Sequence, residues 1–394
     1  MSRAEEAAQA SAFFDGGRLK LARHLEGLRK SDLAARIGMS PTAVSAWETG
    51  AKRPTAATVK QLALGLSVEL GFFAVRSEDI AALSNVPHFR SLRSTSQLAR
   101  DQAFAYGQVA VDIAASLDRY VEFPDVDVPS IPVSVDDDGE GPETAARELR
   151  KLWGLGDGPI KHTVRELENH GVLVVFSPPA AASVDAYSFD SRLRPVVVLN
   201  PVKRDYYRQR FDVAHELGHL VMHGDAEPGG KVVEDQAHRF ASELLMPADV
   251  IREQLPTHMG GNVWVTLARL KEQWGVSIAA LLFRARRLGR LGEISYRNAM
   301  TTLSSRGWRR NEPGLIGAVE QPSLMGRAVD LLAQEQIDED ELINQCRVPR
   351  GLFRVVVSRT PAAALAKPES PEPGAPKVLG LLSTVTTSDQ SSVS

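Results

Sequence analysis

Apolar residues recur along most of this chain at intervals of three and four, the mark of helices, and over residues 172–176 and 196–199 they run on without a break, as in short buried strands. Leu19, Leu21, Ala22 and Leu25 predict a first helix over residues 18–26, which Gly27 stops. Leu33, Ala34 and Ile37 predict a second over residues 32–37, capped by Ser31, and Gly38-Met39-Ser40 then forms a tight turn. Ser40 caps a third helix with Pro41 at its first position, and Val44 and Trp47, three apart, form its buried side. Val59, Leu62, Ala63 and Leu66 give a fourth helix over residues 56–66, and Leu70 to Phe73 a short apolar end. These five small helices, residues 17–74, can share one core.

Beyond them, Ala105, Val109, Ile113, Leu117 and Tyr120 carry a long helical pattern within residues 85–120, with Phe89, Arg90 and Arg93 first a solvated, basic lead-in and second a positive contact to a ligand or another domain. Prolines at 124, 129, 132 and 142 and the run Asp136-Asp137-Asp138-Gly139-Glu140 predict an irregular, exposed connection, to which no metal is assigned. Helices are expected over residues 144–153 and 160–169, and strands over 172–176, 184–189 and 195–199. Helical periodicity returns over residues 211–222, 234–246, 267–274, 278–288, 296–306, 324–334 and 338–346, with residues 353–357 a strand or a helix end. From residue 360 onward, proline and then serine and threonine displace the apolar residues, so a disordered tail is expected. The fold class is mainly α with a small β-sheet, α+β.

The chemistry gathers at His215-Glu216-Leu217-Gly218-His219. Positions i and i+4 of a helix share a face, so both imidazoles can bind one metal ion, with Glu216 beside them as general base toward water. Such a string arises by chance in roughly one percent of chains of this size, so a third ligand is required. Glu234 supplies it. It lies on the first turn of a helix whose apolar face is Ala237, Phe240, Ala241 and Leu244, on the side of that face. Two neutral imidazoles and one carboxylate leave an open position, the arrangement of a catalytic rather than a structural zinc.

Other residues carry two readings each. His223, four beyond His219, reads first as a polar residue near the helix end and second as a further ligand. Tyr187 packs within its strand or donates to an oxyanion. Arg208 and Arg210 meet a substrate carboxylate or lie on the surface, and the arginines of residues 284–290 form either the solvated face of an amphipathic helix or a nucleic-acid contact.

Composition narrows the field. With 394 residues, 43% of them apolar and 24% charged, the chain has material for two or three domains. A net charge of -3 confines any nucleic-acid contact to a local patch. One such patch is the N-terminal unit, where Arg18, Lys20, Arg23, Arg29, Lys30, Arg36, Lys52, Arg53 and Lys60 outnumber the acids. A single cysteine, Cys346, rules out an internal disulfide and fits the cytoplasm. No secretory signal is read at the N-terminus, and no apolar run is long enough to span a membrane.

Two resemblances extend these readings. Residues 31–55, S-D-L-A-A-R-I-G-M-S-P-T-A-V-S-A-W-E-T-G-A-K-R-P-T, resemble the helix-turn-helix of the phage-repressor-like, xenobiotic-response-element family. That implies a lambda-repressor-like domain over residues 17–74, whose third helix presents Thr42, Ala43, Ser45 and Ala46 to bases while Lys52 and Arg53 reach phosphates. A-H-E-L-G-H-L-V-M-H followed by E-D-Q-A-H-R-F-A-S-E-L-L-M-P resembles the ImmA/IrrE family of metallopeptidase-like proteins over residues 145–290, with His238 where that family commonly has Asn or Asp. The resemblance implies a gluzincin-like fold, Zn2+ held by His215, His219 and Glu234, and Glu216 as catalytic base; Tyr187 and Asn200 resemble positions that line its cleft. Residues 85–145 then form a helical connector with an acidic, proline-rich linker, and residues 291–359 a C-terminal helical region. The function implied is a DNA-binding regulator, a homodimer as repressor-like domains usually are, that cleaves a partner transcriptional repressor. A second class stays open: a transcription factor or antitoxin whose zinc domain senses a ligand or a protein partner such as a toxin.

Overall fold

A computed structural model describes residues 2–74, 88–89, 96–137, 139–178, 186–202, 205–224, 230–309, 311–315 and 317–360. Five helices lead: α1 (Arg3–Ala12), α2 (Gly16–Leu25), α3 (Lys30–Arg36), α4 (Pro41–Glu48) and α5 (Ala56–Gly65), followed by a 3-10 turn, Leu70–Ala74. The sequence reading missed α1. Its signal was the Ser-x-x-Glu start: the Ser2 hydroxyl accepts from Glu5 N at 3.3 Å, and the Glu5 carboxylate accepts from Ser2 N at 2.8 Å. Ala7 and Ala10 then bury this helix against α5 and the 3-10 turn. Ser31 is not the cap expected of it. α3 begins at Lys30, and the Asp32 carboxylate accepts the N–H of Arg29 at 2.9 Å. Ser40 does cap α4, and Val44 and Trp47 are buried as the spacing predicts.

The next elements are β1 (His88–Phe89), α6 (Gln97–Leu117), α7 (Gly141–Leu152), α8 (Thr163–Asn169), β2 (Leu173–Phe176), β3 (Tyr187–Phe189) and β4 (Val196–Leu199). Arg90, Arg93, Val184 and Asp185 lie outside the described residues. The sheet order is β1-β3-β4-β2, with β4 parallel to β2 and antiparallel to β3, and β1 antiparallel to β3. Every side chain of β2, β3 and β4 is buried, because both faces of the sheet are covered. Strand alternation divides them between two cores. Leu173, Val175, Tyr187, Phe189, Val196 and Val198 join the N-terminal helices and α6, whereas Val174, Phe176, Val197 and Leu199 join α7, α8 and the helices that follow β4.

Those are α9 (Tyr206–Met222), α10 (Lys231–Leu245), α11 (Ala248–Ile251), α12 (Val263–Trp274), α13 (Ile278–Arg287) and α14 (Glu293–Ser305), all on the second core. The last three, α15 (Leu324–Gln334), α16 (Glu339–Cys346) and α17 (Arg350–Val357), return to the first core against β2 and α6. Residues 353–357 are thus helical, and the expected tail from residue 361 lies outside the described residues. The fold is α+β, as the patterns imply, and no described helix is long and apolar enough to cross a membrane.

The proline-rich connection is irregular but not loose. Asp127 N donates to His170 O at 3.1 Å and Ile131 N to Val221 O at 2.8 Å, and the Trp153 indole donates to Asp127 O. It is a strap along the ends of α8 and α9; Asp138 alone of its acidic run falls outside the described residues.

Charges expected at the surface are buried. Arg210 meets neither substrate nor solvent: its guanidinium pairs with Glu320 and donates to the carbonyls of Ile160 and Gly275. The Glu320 carboxylate also accepts the first N–H groups of α8, from Thr163 at 3.1 Å and Val164 at 2.7 Å, where a helix leaves donors unsatisfied. Arg284 pairs with Glu243 at 2% exposure, so it does not belong to the solvated face of α13. Arg18 pairs with Asp112 of α6 at 2.6 Å and Arg23 with Glu48 at 2.6 Å, which withdraws both from the outward basic patch.

Two outcomes follow. Glu320→Ala strands Arg210 and the α8 N-terminus, and should cost about 3–5 kcal/mol of unfolding free energy in urea titration; a change near zero would remove Glu320 from this role. Burial pushes the Asp112 carboxyl up to about 6 from 3.8, and Arg18 offsets only part of that. A carboxyl raised on folding is most stabilising below its unfolded pKa, and that contribution is lost as pH rises through the folded value. The stability of the unsubstituted protein relative to Asp112→Asn should therefore fall by about 2 kcal/mol between pH 4 and pH 7. A difference that rises with pH in urea titrations would contradict it.

Candidate metal centre and DNA-binding face

α9 starts where the Asp205 carboxylate accepts from Tyr207 N at 3.0 Å and Arg208 N at 3.2 Å. Val213, Ala214, Leu217 and Val221 then seat it under β3 and β4. Gly218, between the two histidines, is where α10 crosses. A Cβ there would lie 2.9 Å from Phe240 Cδ1, so the helices approach as closely as they do only because that position has no side chain. The close crossing brings the first turn of α10, and Glu234 with it, over His215 and His219.

His215 Nε2 and His219 Nε2 are 3.1 Å apart; Glu234 Oε2 is 3.3 Å from the first and Glu234 Oε1 3.7 Å from the second. Donors bound to one tetrahedral ion at roughly 2.0–2.1 Å are separated by about 3.3 Å, so the observed spacings suit a zinc-sized cation. The histidines are buried and Glu234 is partly open. Glu216 is wholly buried on the same helix, and the Ser188 hydroxyl donates to its Oε2 at 2.8 Å and reaches its backbone oxygen at 3.2 Å.

Ser188 was not singled out from sequence, although the alternation of β3 carries the signal: Tyr187 and Phe189 face one core, so Ser188 faces the other. The same alternation removes Tyr187 from the site. Its hydroxyl donates to Ala103 O on α6, across the sheet from Glu216, so of its two readings the packing one agrees with the structure and the oxyanion one does not. Asn200 accepts from Val202 N in the turn after β4, and Arg208 is exposed beside Asp205 and the Arg309 carbonyl.

His223 is the C-cap of α9, the polar residue at the helix end that its first reading makes it. It is buried, 3.1 Å from His219 Nδ1 through its own Nδ1 and 3.0 Å from Gln236 Oε1 through Nε2. Burial lowers its pKa, and the Gln236 bond opposes that only in part. His238 donates from Nδ1 to Glu234 O at 3.0 Å and sets its ring edge-on to His215, with centroids 4.6 Å apart.

On the N-terminal unit, Thr42 of α4 is exposed and Ala43, Ser45 and Ala46 are half-buried. Lys30 Nζ donates to the Ser45 hydroxyl at 3.0 Å. Lys52 and Arg53 are exposed just beyond α4, and Arg53 also donates to Ala12 O at 3.1 Å.

Comparison with curated proteins found no match. Comparison with protein families found two: a helix-turn-helix over residues 19–73 and an IrrE N-terminal-like domain over residues 167–286. The second span contains β2–β4, both histidines, Glu216, Glu234 and the crossing of α9 and α10. In this chain, a helix-turn-helix domain of the xenobiotic-response-element type is fused to a metallopeptidase domain of the ImmA/IrrE type.

Proposed function

We propose that the chain is a DNA-binding regulator whose C-terminal domain is a zinc-dependent endopeptidase acting on a partner transcriptional repressor. The observation that carries the reading is the convergence of two imidazole nitrogens and one carboxylate on a single point, at spacings of 3.1 to 3.7 Å. His215, His219 and Glu234 would hold the metal, which when bound would polarise a carbonyl and acidify water. Glu216 takes the proton from the attacking water and returns it to the departing amine. Ser188 orients Glu216 by donating to one carboxylate oxygen, Oε2. Homodimerisation through the N-terminal domain and binding of DNA along α4 complete the reading, with Thr42, Ala43, Ser45 and Ala46 toward bases and Lys52 and Arg53 toward phosphates.

Glu216→Gln should keep zinc, measured by metal analysis of the purified protein, and lose cleavage of a helix-turn-helix repressor encoded beside this chain by at least about 100-fold. Cleavage at the unsubstituted rate would remove Glu216 as base. Zinc retained by both proteins, with every such repressor left intact by both, would replace the peptidase with the sensor reading. For the DNA face, Lys52→Ala should weaken binding to all sequences alike and lower the slope of log affinity against log salt by about 1. A gel-shift series with an unchanged slope would move the phosphate contact elsewhere.

A further inference from the structure

We infer that His223 and Gln236 form a positioning chain through which the strap of residues 124–137 fixes the tautomer of His219. The inference rests on the zinc reading for its purpose, but its geometry stands apart. Gln236 Nε2 donates to the backbone oxygen of Ser134 at 2.8 Å. That bond settles the amide orientation, since the reverse would set Gln236 Oε1 against the Ser134 carbonyl, two acceptors with no proton between them. Gln236 Oε1 therefore faces His223 Nε2, 3.0 Å away, and an amide oxygen only accepts. The proton of the neutral His223 is on Nε2.

His223 Nδ1 is then a lone pair, and it lies 3.1 Å from His219 Nδ1. His219 must donate there, so its own proton is on Nδ1 and its Nε2 lone pair is turned toward His215 Nε2, at 3.1 Å, and Glu234 Oε1, at 3.7 Å. The nitrogen facing the cluster is thus the one able to bind a cation. His219, His223 and Gln236 are each 1% exposed, where a misplaced proton is costly because no bulk water is at hand to repair the bond.

The far end of the chain is anchored in the strap. Three residues before Ser134, Ile131 N donates to Val221 O, a carbonyl in the last turn of α9 that has no partner within the helix. Trp153 and His170 hold the strap again at Asp127. A segment that reads in sequence as a loose acidic linker is therefore tied both to the end of the helix bearing His215 and His219 and, through two side chains, to the ring of His219 itself. Displacing the strap at Ser134 releases Gln236, and with it the preference of His219 for the metal-binding tautomer. Groups outside a metal's own ligands act in this way when they fix ring orientation and proton position.

The test uses the full-length protein and zinc alone, read by competition with a chromophoric chelator, with the visible spectrum of the cobalt-substituted protein as a second readout. Gln236→Leu and His223→Leu should each weaken zinc binding about 10–100-fold and alter the cobalt spectrum. The metal-free unfolding temperature serves as a folding control. His223→Gln, which keeps an acceptor for the His219 Nδ1 proton, should recover most of the affinity lost in His223→Leu. Zinc affinities of both leucine variants equal to that of the unsubstituted protein would overturn the chain. A long-range proton–nitrogen spectrum of the metal-free protein, labelled at histidine nitrogens, separates this inference from the zinc reading. His219 should be protonated at Nδ1 and bare at Nε2 even if no zinc binds, and the opposite tautomer would overturn the inference with zinc binding intact.

Discussion

The contact between Phe240 and the bare backbone of Gly218 is the constraint on which the rest of the site depends. A helix can place two histidines on one face by itself, but it cannot supply a third donor on the same side at the same depth. That donor must come from another element, at a distance fixed to a few tenths of an ångström. The crossing of α9 and α10 at Gly218 provides this, because one aromatic ring rests where a side chain would otherwise hold the helices apart. Glu234, one turn into α10, then falls 3.3 Å from His215 and 3.7 Å from His219. Beneath α9, the sheet presents Ser188 to Glu216, so the carboxylate is oriented by the same layer that supports the histidines.

Around this crossing the structure uses buried charge as mortar. Glu320 closes the N-terminus of α8 while neutralising Arg210, and Glu243 neutralises Arg284 beneath α10. Glu168 accepts from Ser323 N and Leu324 N, and so fastens the start of α15 to the end of α8. Such pairs contribute little net stability compared with an apolar replacement, but each is strongly unfavourable to break, and so they penalise alternative packings. The Arg18–Asp112 pair applies the same rule where the helix-turn-helix meets α6.

What the sequence made legible follows from which signals are local. Periodicity located most of the helices, though not α1 or α11, and the i, i+4 histidines with Glu234 on a patterned helix predicted the cluster that the structure assembles. The failures share a cause. Ser188, His223 and Gln236 matter through partners 28, 4 and 13 residues away, and two of those separations have no helical or strand period to announce them. Tyr187 was assigned to the cleft on resemblance, when counting alternation along Tyr187-Ser188-Phe189 would have placed its neighbour there. Arg210 and Arg284 look like surface cations until Glu320 and Glu243 arrive from 110 and 41 residues away.

One metal ion, on this reading, joins α9 to α10 through two imidazoles and a carboxylate. X-ray absorption at the zinc edge of the purified, full-length protein reads that coordination directly. The spectrum should show one zinc per chain, with two histidine nitrogens and oxygen donors at about 2.0–2.2 Å and no sulfur. A shell containing sulfur, a single histidine, or a protein that retains no zinc would contradict it.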